Sequence, residues 1–522
     1  MPKTDKQLEG FCHFRTNKQP SYCFSRSIAY IYATSFFFTL YNNKKVMKTR
    51  PNIVMFVSDD QGAWALGCAG NTELKTPNID KIAATGVRFE NFFCVSPVCS
   101  PARASLLTGR IPSDHGIQDW LRKGNIDDPN GVFRGKDRAI GYLDGLDGFT
   151  DYLAKAGYVC GFSGKWHMGD SAHPQKGYSY WEAYAFGGGD YNNYEWIDHG
   201  RVYRRTDYVT DCVTEKAIDF LKERDGQSES FLLSVHYTAP HSPWGQQFHP
   251  ATIWHQYDDC PFHSTPDLPK HPWQSPTAPQ GYTPESRREN LQGYYTAITA
   301  MDNGIGQIMD ELERIGAMDN TLVIFSGDNG MNMGHHGIWG KGNGTFPLNM
   351  YDTSVKIPFI MSWPGYIRSG WVADGLHSHY DVFPTILDIA GVENPLQTQL
   401  PGHSFAHNIL SGNDEGDDDV VVYDEYGPVR MIRSREWKYV HRYPYGPHEL
   451  YHLTDDPDET RNLVDQPEYA LRVTDMRDKL RKWFAKYVNP SRDAAYEAIN
   501  GFGQNGRTGI EANGECPWEP AK

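Results

Sequence analysis

The chain has 522 residues, about three domains' worth at roughly 150 residues each. Hydrophobic residues make up 39%, charged residues 22% and aromatic residues 13%, which excludes a mainly disordered, collagenous or coiled-coil chain. The 50 Lys and Arg against 65 Asp and Glu leave a net charge of −15, which argues against nucleic acid as a partner but leaves room for a small anion in a locally positive pocket.

Residues 27–41 form an apolar, aromatic run behind Arg15, Lys18 and Arg26, in the order of a signal peptide's charged and apolar regions. The run lacks a small-residue cleavage site and is short for a bilayer, so no stable membrane span is expected. Two readings stand. A leader places the protein in the periplasm or outside the cell; an early start, with Met47 as the true one, leaves it in the cytoplasm. Either way residues 1–46 are set apart from the folded chain. The nine cysteines are odd in number and lack C-x-x-C pairs, so neither a disulfide framework nor a structural zinc site is expected.

From Asn52 onward strand and helix signals alternate, which predicts an α/β fold: a large mixed, mainly parallel sheet sandwiched by helices. Such sheets carry their sites at the carboxyl ends of the strands. Ile53-Val54-Met55-Phe56-Val57 ends in Ser58-Asp59-Asp60-Gln61-Gly62, and residues 158–162 lead to Gly164-Lys165-Trp166-His167. Residues 231–235 run on to Ala239-Pro240-His241, and residues 322–325 end in Gly327-Asp328-Asn329-Gly330. Any one of these reads as a polar strand end; four together point to a site. Asp59, Asp60, Asp328 and Asn329 are hard oxygen donors suited to Ca²⁺ or Mg²⁺, and the three carboxylates would repel one another without a cation.

Between the first two of these strands lies Cys99-Ser100-Pro101-Ala102-Arg103, followed by Leu107-Thr108-Gly109-Arg110. Pro101 suits a first helical turn and Gly109 a helix stop, which places Cys99 at a helix N-terminus, where unpaired N–H groups favour negative charge. By itself, such a cysteine more often reads as a small buried residue.

Cys99-x-Pro101-x-Arg103 with the Leu107–Arg110 segment resembles the signature of the type I, formylglycine-dependent sulfatases of the alkaline phosphatase superfamily. The resemblance runs from about residue 51 to 487. It includes the 164–167 motif, residues 294–302, Ser326–Gly330, Pro358–Gly365, Asp381-Val382-Phe383-Pro384-Thr385 and Glu449-Leu450-Tyr451. It is closest in appearance to bacterial polysaccharide sulfatases, those acting on algal ulvan or glycosaminoglycans.

The resemblance implies that a maturation enzyme oxidises Cys99 to formylglycine (3-oxoalanine), which works as its hydrate. It further implies that one Ca²⁺ is held by Asp59, Asp60, Asp328, Asn329 and the modified Cys99. Arg103 would position the hydrate, Lys165 and Lys341 would grip the sulfate, His167 would bind the hydrate or act as its base, and His241 would be the general acid. His115, His335 and His336 lie in or beside matched motifs as candidate substrate contacts. Alone, Lys341 reads as a solvated loop lysine and His241 as a structural loop histidine. The implied reaction is hydrolysis of a carbohydrate sulfate ester. The rivals are a phosphonate monoester or phosphodiester hydrolase of the same superfamily, and an inactive glycan-binding relative.

The aperiodic segment 242–286 follows His241 and is expected to wall the pocket. The catalytic domain is expected over 47–412 and a smaller α+β domain with an antiparallel sheet over 413–490. That domain's short strands are read at residues 420–423, 431–433 and 437–440, with an amphipathic helix at 471–487. Residues 491–522 read as a polar, Gly-rich tail.

Overall fold

A computed structural model of the protein describes residues 50–417, 419–421 and 428–520. The leader-like run, residues 1–46 and Met47 lie outside the described residues.

Short apolar runs bounded by turns become sixteen strands among the described residues. In chain order they are β1 (Asn52–Ser58), β2 (Val87–Phe93), β3 (Val159–Lys165), β4 (Tyr180–Tyr184), β5 (Tyr194–Asp198), β6 (Arg201–Arg205), β7 (Phe231–His236) and β8 (Thr321–Gly327). There follow β9 (Asn332–Met333), β10 (Trp339–Gly340), β11 (Phe359–Ser362), β12 (Trp371–Ser378), β13 (Asp419–Val420), β14 (Val429–Ser434), β15 (Trp437–Arg442) and β16 (Glu449–His452). Ten make one sheet in the order β12-β2-β11-β8-β1-β7-β3-β4-β5-β6. Its centre, β8-β1-β7-β3-β4, is parallel, while β11 and the β5-β6 ribbon pair antiparallel, as expected of a mixed, mainly parallel sheet.

The central strands are almost continuously buried, which requires cover on both faces. Five helices matter below: α1 (Pro77–Ala84), α2 (Cys99–Thr108), α3 (Val209–Glu223), α4 (Pro284–Arg314) and α5 (Ala470–Tyr487). Neighbouring residues of β3 show the sandwich. Gly161 abuts Phe220 of α3, while the Cys160 thiol faces the Thr150 carbonyl of the helix Phe149–Lys155 on the opposite side.

The smaller sheet, β13-β14-β15-β16, is antiparallel and packs Ile432, Tyr439 and Leu450 against Met476, Leu480 and Phe484 of α5. Of the strand expected at 420–423, Val420 closes β13, and residues 422 and 423 lie outside the described residues. This sheet clamps the chain that follows Lys341. Lys438, fully buried, reaches Asp352 at 2.9 Å and Glu459 at 2.6 Å, and Arg442 donates to the Leu348 carbonyl at 2.9 Å. Among the described residues no helix is long and apolar enough to cross a membrane.

Candidate active site

Parallel register brings the motifs together. Ser58 at the end of β1 lies opposite Gly327 at the end of β8, so Asp59-Asp60 and Asp328-Asn329 leave adjacent strands at one level. The Asp328 N–H donates to the Ser58 carbonyl at 3.0 Å, fixing that junction. On the other flank Val57 lies opposite His236 of β7, and His236 opposite Gly164 of β3, so His241 and Lys165 emerge beside them. Asp59 N–H donates to the Ala239 carbonyl at 3.0 Å, tying β1 to the turn before His241.

Cys99 opens α2, whose N-cap is the extended Val98 and whose stop is Gly109 at φ +68°, where a side chain would be strained. Cys99 and Arg103 are four residues apart and share a helix face. This gives C-x-P-x-R its geometric meaning, with the thiol above and the guanidinium below. Arg103, fully buried, donates from Nε to Asp328 at 2.9 Å and from Nη1 to the Lys165 carbonyl at 3.1 Å. Its Nη1 also meets His236 Nδ1 at 3.2 Å. His236 was not singled out from the sequence; it closes an apolar strand, and only the register shows that it faces Arg103.

Asp59, Asp60 and Asp328 are buried and offer oxygens within 4.8 Å of one another, a grouping that can hold a metal ion. Lys165 contacts Asp59 and Lys341 contacts Asp60. Two buried acceptors in this cluster, Asp59 Oδ1 and Asn329 Oδ1, have no hydrogen-bond partner among the described residues. Orphaned hard oxygens beside three carboxylates fit a hard divalent cation. Burial, seconded by Asp328 and Asp60, pushes the Asp59 carboxyl up to about 8 against the pull of Lys165 and Arg103. Burial opposes ionisation of Asp328 and Asp60 too, but Arg103 and Lys165 hold the first below its ordinary value, and Lys341 and His241 hold the second. Burial raises the Cys99 thiol as well, keeping it neutral. Asp60 and His167 both adopt left-handed backbone, at φ 64° and 52°, a strain that is characteristic of functional sites.

The histidines present different faces. His167 lies 2.9 Å from the Leu121 carbonyl through Nε2; a carbonyl only accepts, so Nε2 carries the proton and Nδ1, which has no partner among the described residues, is a bare base. His241 Nδ1 donates to the Ser242 carbonyl at 2.7 Å, leaving Nε2 facing Asp60 Oδ2 at 3.7 Å. Burial, partly offset by Asp60, lowers His241 to about 4. An anionic substrate beside Nε2 favours the protonated ring.

Cys99, Asp60, His167, His241 and Lys341 line a cavity of about 480 Å³. Segment 242–286 walls it with Ser242, Trp244 and residues 276–278, as expected. The other walls were not legible in the sequence: Trp120, Arg122, Arg134, Phe186 and, from the tail, Phe502 and Glu519. The other three histidines singled out from the sequence stand elsewhere. His115 is buried and held by Ser105 Oγ at 3.0 Å, tying α2 to the chain after it. His335 packs on Trp64 at 4.8 Å and His336 stacks on Tyr351 at 3.8 Å. Among the described residues that line the cavity, none of the three is found.

Residues 51–392 match the family model for sulfatases. The chain belongs to the sulfatase family. Residues 334–486 of this sulfatase also match the model for the C-terminal part of N-sulphoglucosamine sulphohydrolase. It is 29% identical to an ulvan-active sulfatase of Formosa agariphila, over 88% of this chain and 86% of that one. It is 26% identical to an N-acetylglucosamine-6-O-sulfatase of Bacteroides thetaiotaomicron, over 87% and 89% of the two chains. A solved complex of a protein with its substrate D-glucosamine-2-N,6-O-disulfate shares the fold, with a TM-score of 0.70 and 23% identity over 86% of this chain and 100% of that one. The sulfatase is a sulfuric ester hydrolase.

Proposed function

We propose that this sulfatase cleaves a sulfate ester on a carbohydrate, a sulfated polysaccharide or its oligosaccharides, through a residue formed from Cys99. The observation that carries the reading is the cluster of three carboxylates and two lysines whose Asp60 and Lys341 line, together with Cys99, a cavity of about 480 Å³. The ulvan and N-acetylglucosamine sulfatases matched nearly end to end support a sugar as the leaving group.

The carboxylates with Asn329 would hold a divalent ion, Ca²⁺ in this reading, which when bound acidifies a nearby hydroxyl and draws charge from sulfate oxygens. Cys99, once oxidised by a maturation enzyme, supplies an aldehyde hydrate in place of the neutral thiol. Arg103 holds that residue's carboxylate surroundings in place from below. Lys165 and Lys341, already inside the cluster, supply positive charge to the sulfate oxygens in a site largely closed to water. His167 offers its bare Nδ1 to a hydroxyl proton. His241 Nε2, once protonated, gives its proton to the departing sugar oxygen, a contribution of roughly 10²- to 10⁴-fold.

The test pairs chemistry with mass. Protein co-expressed with a formylglycine-generating enzyme is assayed for sulfate release from sulfated oligosaccharides and from paired aryl sulfate and aryl phosphate diester substrates, and the Cys99 peptide is weighed. The expected result is sulfate release with loss of the thiol mass and gain of an aldehyde. A higher kcat/KM on the diester, or full activity with intact thiol, overturns the reading.

A further inference from the structure

Of the carboxylate–lysine cluster only Asp60 and Lys341 line the cavity, beside Cys99, and the cavity, at about 480 Å³, falls within the roughly 300–1,000 Å³ of pockets that enclose whole small molecules. A charge inventory of its walls is informative. Of its lining residues, Asp60 contacts Lys341. Arg122, also in the wall, has Glu519 at 3.8 Å. Arg134 lines the same cavity and, among the described residues, has no carboxylate within ion-pair distance.

Arg134 is nevertheless held. Its guanidinium lies 4.1 Å from the centroid of Phe186, and Nη2 donates to the Gly188 carbonyl at 2.8 Å. Stacking and one hydrogen bond fix the plane of the fork, so little side-chain entropy remains to be lost on binding. A guanidinium has five N–H donors; the Gly188 carbonyl engages one and the Tyr184 hydroxyl lies against the fork as well, and the donors left over suit the paired oxygens of a carboxylate or a sulfate. The anchor also sets its place. Gly188 abuts His241, since a Cβ there would lie 2.9 Å from the ring's Cε1, so Arg134 is tethered on the side where the leaving group departs. In a protein of net charge −15, a polyanionic substrate gains from each cation placed on its path.

We propose that Arg134 is a specificity-determining residue that binds a second oxyanion, a carboxylate or a further sulfate, on the sugar chain whose ester is cleaved. The inference rests on the sulfatase reading above and adds to it that the preferred substrate carries at least two negative charges.

The test compares wild type, Arg134→Gln and Arg134→Lys as mature full chains. Their substrates are an aryl sulfate, a singly sulfated neutral oligosaccharide, and matched oligosaccharides carrying either an added uronate or an added sulfate. Arg134→Gln is expected to lose roughly 10- to 100-fold more in kcat/KM on a doubly charged substrate than on the aryl sulfate, with the difference in KM. Arg134→Lys is expected to fall between, and added salt to erase the wild-type preference. Whichever doubly charged arm shows the loss identifies the oxyanion. Equal factors on all substrates, or a wild type indifferent to the second charge, overturn the proposal while leaving the sulfatase reading intact. A wild type that releases sulfate from no ester overturns that reading, and this proposal with it.

Discussion

Gly187 and Gly188 lie in the turn between β4 and β5, and their lack of side chains is what admits the rings of His167 and His241. A Cβ on Gly187 would fall inside the His167 ring, and one on Gly188 would press on His241. Neither glycine needs a left-handed backbone; the constraint is close approach, which no local sequence signal reveals. Gly187→Ala is therefore expected to displace the His167 ring and lower kcat on an aryl sulfate about 100-fold, with little change in melting temperature. Gly506→Ala, with open space at its Cβ, is the matched control and is expected to retain activity. A Gly187→Ala variant as active as that control would remove the glycine from any positioning role. At this scale the sequence was legible for Asp59, Asp60, Cys99, Arg103, Lys165, His167, His241, Asp328, Asn329 and Lys341, all of which the structure gathers in one place. It did not show that His115, His335 and His336 stand away from the cavity wall. A histidine's neighbours decide whether its ring packs or binds, and those neighbours are distant in sequence.

Between elements, the matched segment 294–302 of α4 acts as a brace. Tyr294 donates its hydroxyl to the Asp60 carbonyl at 2.9 Å and accepts the Gly62 N–H at 3.2 Å, holding the chain just past β1. Two turns on, Asp302 accepts the backbone N–H groups of Asn78 at 3.1 Å and Ile79 at 2.8 Å, capping α1 in place of Thr76, whose own side chain makes no cap. Burial nonetheless raises the Asp302 carboxyl from 3.8 to about 6. A folded-state value above the unfolded one means that the folded protein binds this proton more tightly. The resulting stability is full below about pH 4 and is lost as pH rises through 6. The loss amounts to the order of 2–3 kcal/mol. Asp302→Asn keeps an acceptor oxygen but not the proton equilibrium. Urea midpoints between pH 4 and 7 should therefore decline less steeply for the variant than for wild type, and parallel curves would remove Asp302 as the titrating group.

Across the whole molecule, the tail closes the site. Gln504, fully buried, accepts the Gln118 N–H at 2.9 Å and donates to the Gly116 carbonyl at 3.0 Å, while its backbone brackets Trp120 and Arg122. Leu121, inside that bracket, is the residue whose carbonyl orients His167. The tail thus supports His167 from behind and brings Phe502 and Glu519 to the cavity wall. Gln504→Ala leaves these buried groups unpaired and is expected to cost about 1–3 kcal/mol of stability. It is also expected to raise KM for an oligosaccharide more than for an aryl sulfate. Thermal melts and paired kinetics check this, and an equal rise on both substrates would deny the tail a part in binding sugar.

What the sequence by itself determined are the features written in consecutive residues: buried strands, the helix that opens at Cys99, and the polar residues just past each strand. Parallel pairing then stacks those strand ends at one level, so local motifs predict a shared site without any knowledge of loops. Only the tertiary structure decided what surrounds the site. Trp120, Arg134, Phe186 and Phe502 come from segments with no period, and their meeting depends on long-range packing that no window of sequence contains. The net charge of −15 excluded a basic stripe and said nothing of Arg134, because a sum over the chain has no position, whereas recognition of an anion depends on where one cation is held.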